Sequence, residues 1–173
     1  SFQAVKNLPT ADSGMICFKD SIDDRNVRKF SWLGINKDTY ERTQKMGLYR
    51  WDYDVESLGF KYHGNSIMAS LGLVGLKYLD TDNAFRRKLA KIYANELGEN
   101  KKVEIIKTHD DCISSQHLFQ IKVEDRDSFI NELYSHEIFC GVHYKDNTLY
   151  PMYTYGYGTC PNAHEASQKL VSL

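Results

Sequence analysis

The sequence predicts an α/β protein, and three features carry that expectation. Two long segments near the middle, from Asn65 to Tyr78 and from Ala84 to Leu97, repeat apolar residues at helical spacing. Beyond Val103 the pattern changes to short apolar runs around a single helical stretch, the order of a small two-layer unit. Ahead of both, brief extended runs, a short helix and a long aromatic excursion follow one another, so the chain divides into residues 1–64, connecting helices over 65–99 and a small α/β domain over 100–173.

In chain order, Ser1 to Leu8 reads as a short extended run carrying Lys6, and Met15 to Phe18 as a second, with a turn-forming cluster between them. Lys6 is therefore expected between two strands. Ser21 or Asp23 can cap a short helix bearing Val27, Phe30 and Leu33 and stopped by Gly34. From Ile35 to Glu56 no period is sustained, and one helical turn is expected around Thr39 to Lys45, with Trp51, Tyr53 and Val55 alternating near the end. Asn65 then caps the clearest helix, with Ile67, Leu71, Val74 and Tyr78 on one face. Ala69, Gly72 and Gly75 make a second face, and glycines that cost roughly 1 kcal/mol each relative to alanine imply a close approach of another backbone. Thr81, Asp82 or Asn83 can cap the next helix, which Gly98 stops. Strands are expected over Val103 to Ile106, Leu118 to Val123 and Ile138 to Tyr144, with a helix capped by Asp125 or Asp127 before the third. Pro161 opens a final helix through Ala163, Ala166, Leu170 and Leu173.

Composition removes several function classes. A net charge of -1 leaves no broad basic face for nucleic acid, and no run of eighteen apolar residues exists to form a transmembrane helix. Cys17, Cys112, Cys140 and Cys160 stand far apart, which reads as buried or half-buried thiols of a reducing, cytoplasmic compartment rather than a zinc site. His109, Asp110, Asp111, Cys112 and His117 fit no zinc spacing and read as a polar connection.

Ser1, Phe2, Gln3, Lys6, Asn7, Asp12 and Gly14 together resemble the cofactor-lysine motif of the DegT/DnrJ/EryC1/StrS sugar aminotransferases. That motif runs Ser, an aromatic, His or Gln, two residues, Lys-Asn, and then an acidic and glycine turn. Ser13 departs from the usual glycine and Asp12 from the usual glutamate. The resemblance covers nearly the whole chain. It implies the C-terminal half of an aspartate-aminotransferase-like fold: the end of the cofactor-binding large domain, long helices, and the small C-terminal domain. The first and last residues read as those of an excised piece.

The resemblance also implies pyridoxal 5'-phosphate as cofactor and Lys6 as the catalytic amine that holds its aldehyde and moves a proton during transfer. Ser1 would offer a hydroxyl to the cofactor phosphate, and Gln3 would lie close to the ring. In relatives, the loop corresponding to Lys61-Tyr62-His63-Gly64-Asn65 crosses to the other subunit's phosphate. His63 stands here where an asparagine or arginine is usual, so either His63 or Asn65 is the cofactor-binding candidate. Gly141-Val142-His143-Tyr144 resembles the strand end that leads to the sugar nucleotide, with His143, Tyr144 and Tyr150 as substrate-binding candidates. The second histidine common in that loop is absent, and Tyr153, Tyr155 and Tyr157 suit either ligand stacking or a loop packed by its own aromatics.

The expected function is transfer of an amino group, with glutamate as donor, to a keto group of a nucleotide-linked deoxysugar. The product would serve polysaccharide or glycoside synthesis, and the enzyme would work as a homodimer with shared active sites, of which this half alone is inactive. Related dehydratases carry histidine where Lys6 stands, and lysine favours transfer. A non-catalytic dimerisation domain is the alternative from a different class.

Overall fold

The computed structural model describes residues 1–38, 41–42 and 53–173, and its backbone divides into two compact units, Ser1–Tyr78 and Leu79–Leu173. The turn expected at Thr39 to Lys45 and the alternation begun by Trp51 lie largely outside the described residues.

In the first unit neither extended run flanking Lys6 becomes a strand. A strand exists through its neighbour, and among the described residues no segment pairs with these runs as a strand. Residues 2–13 instead close on themselves: the Phe2 amide donates to the Ser13 carbonyl at 2.8 Å, and the Thr10 amide donates to the Phe2 carbonyl at 2.8 Å. Helix α1 (Ser21–Ser31) follows. Its N-cap is Asp20 rather than Ser21 or Asp23, with the Asp20 carboxylate accepting the Ile22 amide at 2.6 Å. Asp23 and Asp24 in the first turn and Arg28 and Lys29 in the last complement the helix dipole. The helix stops as expected at Gly34, whose amide donates back to the Lys29 carbonyl at 2.8 Å. Gly34 has φ of +74°, and a Cβ there would fall 1.8 Å from the Ser57 carbonyl oxygen, so no other residue fits. That crossing is held by the bridge between Ile35 and Val55.

Helix α2 (Ser66–Leu76) is capped by Asn65 as the sequence predicts, the side-chain oxygen accepting the Met68 amide at 3.0 Å. Its glycine face is the one that other atoms approach. A Cβ on Gly72 would lie 3.2 Å from Thr10 Cγ2, and one on Gly75 would lie 2.8 Å from Leu8 Cδ1. The close approach is thus made by side chains of the Lys6 loop. Ile67, Leu71, Leu73, Val74 and Leu76 around the rest of the helix remain exposed.

The second unit opens with helix α3 (Leu79–Leu97), which begins before the expected caps at Thr81, Asp82 or Asn83 and carries Asp80 and Asp82 in its first turn. Strands β1 (Glu104–Ile105), β2 (Gln120–Lys122) and β3 (Leu170–Ser172) form an antiparallel sheet in the order β1-β2-β3. Helix α4 (Arg126–Ser135) is capped by Asp125, and helix α5 (Pro161–Lys169) opens on Pro161, both as expected. Two expectations fail together. The final helix ends at Lys169, because Leu170 to Ser172 turn extended and pair with β2. The segment from Ile138 to Tyr144 is not a strand either: it meets β3 through the single bridge of Gly141 with Ser172 and touches the sheet otherwise through Cys140 and His143. Burial decides the matter: Ile121 and Val171 are both 0% exposed and directly paired, with Val123 completing the buried cluster.

The accessible surface totals 13990 Å². Many apolar faces among the described residues are uncovered. They explain the cysteines: Cys17, Cys112 and Cys160 are exposed rather than buried, only Cys140 is half-buried, and none is paired. Among the described residues no helix is long and apolar enough to cross a membrane, and no metal-binding cluster exists.

The Ile121–Val171 pair sets the stability of the second unit. Ile121→Ala is expected to lower its unfolding free energy by about 2–5 kcal/mol, measured by urea denaturation.

Candidate functional site

The residues expected around the cofactor lysine fall on one closed loop. Lys6 sits at its tip, where its amide donates to the Gln3 carbonyl at 2.9 Å, making a tight turn. The Gln3 side-chain oxygen accepts the Val5 amide at 3.2 Å, and the Ser1 hydroxyl oxygen accepts the Gln3 amide at 3.4 Å. Ser1, Gln3 and Lys6 are thereby brought together, Lys6 half-buried and the other two exposed. Among the described residues no carboxylate pairs with Lys6.

The loop's base is Thr10, only 4% exposed. Its hydroxyl reaches the Phe2 carbonyl at 3.4 Å and is hydrogen-bonded to the Ser13 hydroxyl. Sequence reasoning missed Thr10, since a single threonine after a proline carries no pattern of its own.

His63 is positioned by the segment that follows α1. Its amide and that of Tyr62 both donate to the Ser31 carbonyl, at 3.1 and 2.9 Å. Its ring stands edge-on to Trp32 with centroids 4.1 Å apart, and Lys61 Nζ lies over the same indole at 3.9 Å. Asn65 spends its side-chain oxygen on the α2 cap, which leaves its amide nitrogen to donate elsewhere.

In the second unit, His143 Nδ1 lies 3.0 Å from the Ser172 hydroxyl, and the His143 carbonyl accepts from Gln120 Nε2 at 2.8 Å. Tyr144 meets the His143 ring edge-on with centroids 5.0 Å apart. Tyr150 lies beneath Lys145 Nζ at 5.0 Å and precedes a 3-10 helix, Pro151–Gly156, on which Tyr155 is 85% exposed. Asp146, another residue the sequence did not single out, fastens this region. Its Oδ1 accepts the Thr148 amide at 2.8 Å and the Thr148 hydroxyl at 2.9 Å, and its Oδ2 faces His164 Nδ1 at 2.8 Å. The Thr148 amide, and after it the His164 ring, hold the Asp146 carboxyl below the ordinary carboxylate range.

Comparison with known proteins identifies the family and the fold. The profile of the DegT/DnrJ/EryC1/StrS aminotransferase family matches residues 1–173. The chain belongs to that family. The spore coat polysaccharide biosynthesis protein SpsC of Bacillus subtilis is 30% identical over 184 residues, covering 100% of this chain and 47% of SpsC. The sugar aminotransferase CalS13 from Micromonospora echinospora matches with a TM-score of 0.85 at 25% identity, over 99% of this chain and 45% of its own. Spr1654 from Streptococcus pneumoniae, solved in its pyridoxal-phosphate form, matches with a TM-score of 0.80 at 25% identity, over 100% of this chain and 45% of its own. The chain therefore has the α/β fold of these aminotransferases and spans about half the length of the relatives it matches.

The Asp146 anchor gives a pH dependence with a definite sign. A carboxyl whose pKa is lower folded than unfolded contributes its full stabilisation above the ordinary value of 3.8, and that contribution is lost as the pH falls through the lowered folded value. Urea midpoints of the native chain and of Asp146→Asn are therefore expected to differ at neutral pH and to converge well below 3.8.

Proposed function

We propose that this chain supplies the lysine-bearing half of a pyridoxal-phosphate-dependent sugar aminotransferase. The observation that carries the reading is Lys6 at the tip of a closed loop, in a chain that the aminotransferase family matches from end to end. The residues present suit the cofactor. Lys6 offers an amine with no carboxylate partner among the described residues, and Ser1 offers a hydroxyl on the same loop for a phosphate. His63 or the Asn65 amide nitrogen, on the segment leading into α2, is the candidate donor to the cofactor phosphate of the partner subunit's site. When bound, pyridoxal phosphate supplies the electron sink for cleaving a bond at the carbon that carries nitrogen. Lys6 Nζ binds the cofactor between turnovers and, once released, takes and returns the proton at the reacting carbon. Gln3, tied to the Val5 amide, keeps the turn that carries Lys6 in one conformation.

The acceptor is a keto group on a nucleotide-linked deoxysugar and the donor is glutamate. CalS13 is a sugar aminotransferase and SpsC a polysaccharide biosynthesis protein, which supports this substrate class and a biosynthetic role. In the second unit, His143, Tyr144 and Tyr150 are the candidates for binding the sugar nucleotide, since aromatic faces and hydroxyls suit a glycosyl ligand. The rest of the cofactor cradle comes from outside these residues, so the 173 residues alone do not transaminate. The working enzyme is a cytoplasmic homodimer in which α2 is covered by protein, which accounts for a helix that is apolar on nearly every side and exposed.

Two experiments on the complete enzyme test this. Borohydride treatment with pyridoxal phosphate is expected to fix the cofactor to Lys6, seen by mass spectrometry of the peptide, and ¹⁵N from labelled glutamate is expected in the sugar product. Lys6→Ala should abolish both; a cofactor fixed elsewhere would refute the assignment. For assembly, Leu73→Glu with Val74→Glu is expected to shift a dimer to monomer in light scattering, with the helical circular dichroism retained.

A further inference from the structure

We propose that Thr10, seated on the glycine face of α2, is the positioning residue that sets where the Lys6 amine points. This deepens the function proposed above and rests on Lys6 being the cofactor lysine.

Three observations converge on Thr10. It is a buried polar residue in a unit with few buried residues, and both of its polar groups are used to close the Lys6 loop. Its amide and hydroxyl converge on the Phe2 carbonyl, and its hydroxyl also bonds that of Ser13. Phe2 in turn donates to Ser13, so the two ends of the loop meet at one side chain. The remaining group, the Thr10 methyl, meets α2 where Gly72 has no side chain, and Leu8 meets the same face at Gly75. Positions three apart on a helix share a face, and positions two apart on an extended segment share a side, so α2 and the loop fit at two matched points. Neither would fit with a large residue at either glycine.

At the loop tip the Gln3–Lys6 turn and the Gln3 side chain are local restraints. Its orientation relative to a helix comes through residues 8 and 10. The Asn65 cap begins the same helix, about two turns from Gly72, so α2 also carries the segment with His63 and Asn65.

The test uses the complete enzyme. Thr10→Val keeps the shape and the methyl group but loses both hydroxyl contacts; Thr10→Ser keeps the hydroxyl. Gly75→Leu displaces Leu8 without touching any hydrogen bond. The readouts are the rate of borohydride-trapped labelling at Lys6, amide exchange of Val5, Lys6 and Asn7, and the urea midpoint. Thr10→Val and Gly75→Leu are expected to slow labelling roughly tenfold and to speed exchange at the tip, with Thr10→Ser close to the native rate. The inference is overturned if Thr10→Val labels at the native rate, if Thr10→Ser is as slow as Thr10→Val, or if labelling falls only in proportion to the urea midpoint. Absence of labelling at Lys6 in the unaltered enzyme refutes the lysine assignment itself, and the inference with it.

Discussion

A backbone segment that has no neighbouring strand must satisfy its amides and carbonyls from within or leave them to water, and residues 2–13 do so around Thr10. Everything proposed for the first unit depends on that closure. It fixes the base of the loop, leaves the tip free to present an amine, and turns the methyl of the same threonine towards the only face of α2 that can receive it. A hydroxyl there does more than a hydrogen bond between two distant strands could, because it joins the two ends of a single short loop and makes its tip a rigid projection.

The second constraint is surface. Where few side chains are fully enclosed, each enclosed one carries more of the stability, and the buried cluster of the second unit reduces to Ile121, Val123 and Val171 with half-buried neighbours such as Phe119, Phe129 and Cys140. Elsewhere, apolar residues that a self-sufficient globule would hide stay in contact with water. The same feature separates what is built inside these units from what must be supplied to them. The turn at Lys6 and the sheet are internal, whereas the apolar residues of α2 are left exposed.

The helices were legible because their signals are local. Asn65 and Asp125 cap through their own side chains a few residues on, Pro161 opens a first turn, and Gly34 stops α1 for a steric reason. The strands were legible only in part, since pairing is decided far along the chain. Leu170 and Val171 suit a helix period as well as an extended one, and the contact of Val171 with Ile121 settles which is used. Ile138 and Phe139 look like a strand core yet remain exposed, and their segment joins the edge of β3 by the single bridge at Gly141. The motif singled out Lys6, Ser1 and Gln3, and the structure brings these three together on one loop. Thr10, Trp32 and Asp146 were not singled out, because a lone residue that acts by touching something remote leaves no spacing to read.

The pairing of β2 with β3 bears on how the second unit is made. Ile121 lies well ahead of Val171 in the order of synthesis, and β2 therefore leaves the ribosome with one edge and one face uncovered. Until the later strand arrives, the cluster around Ile121 offers apolar surface and unpaired amides to any passing chain. The ion pair of Lys122 with Glu104, complete before β3 is made, puts both signs of charge on the sheet at that stage. It contributes little to the stability of the finished fold, but charge beside an uncovered strand opposes association with other chains.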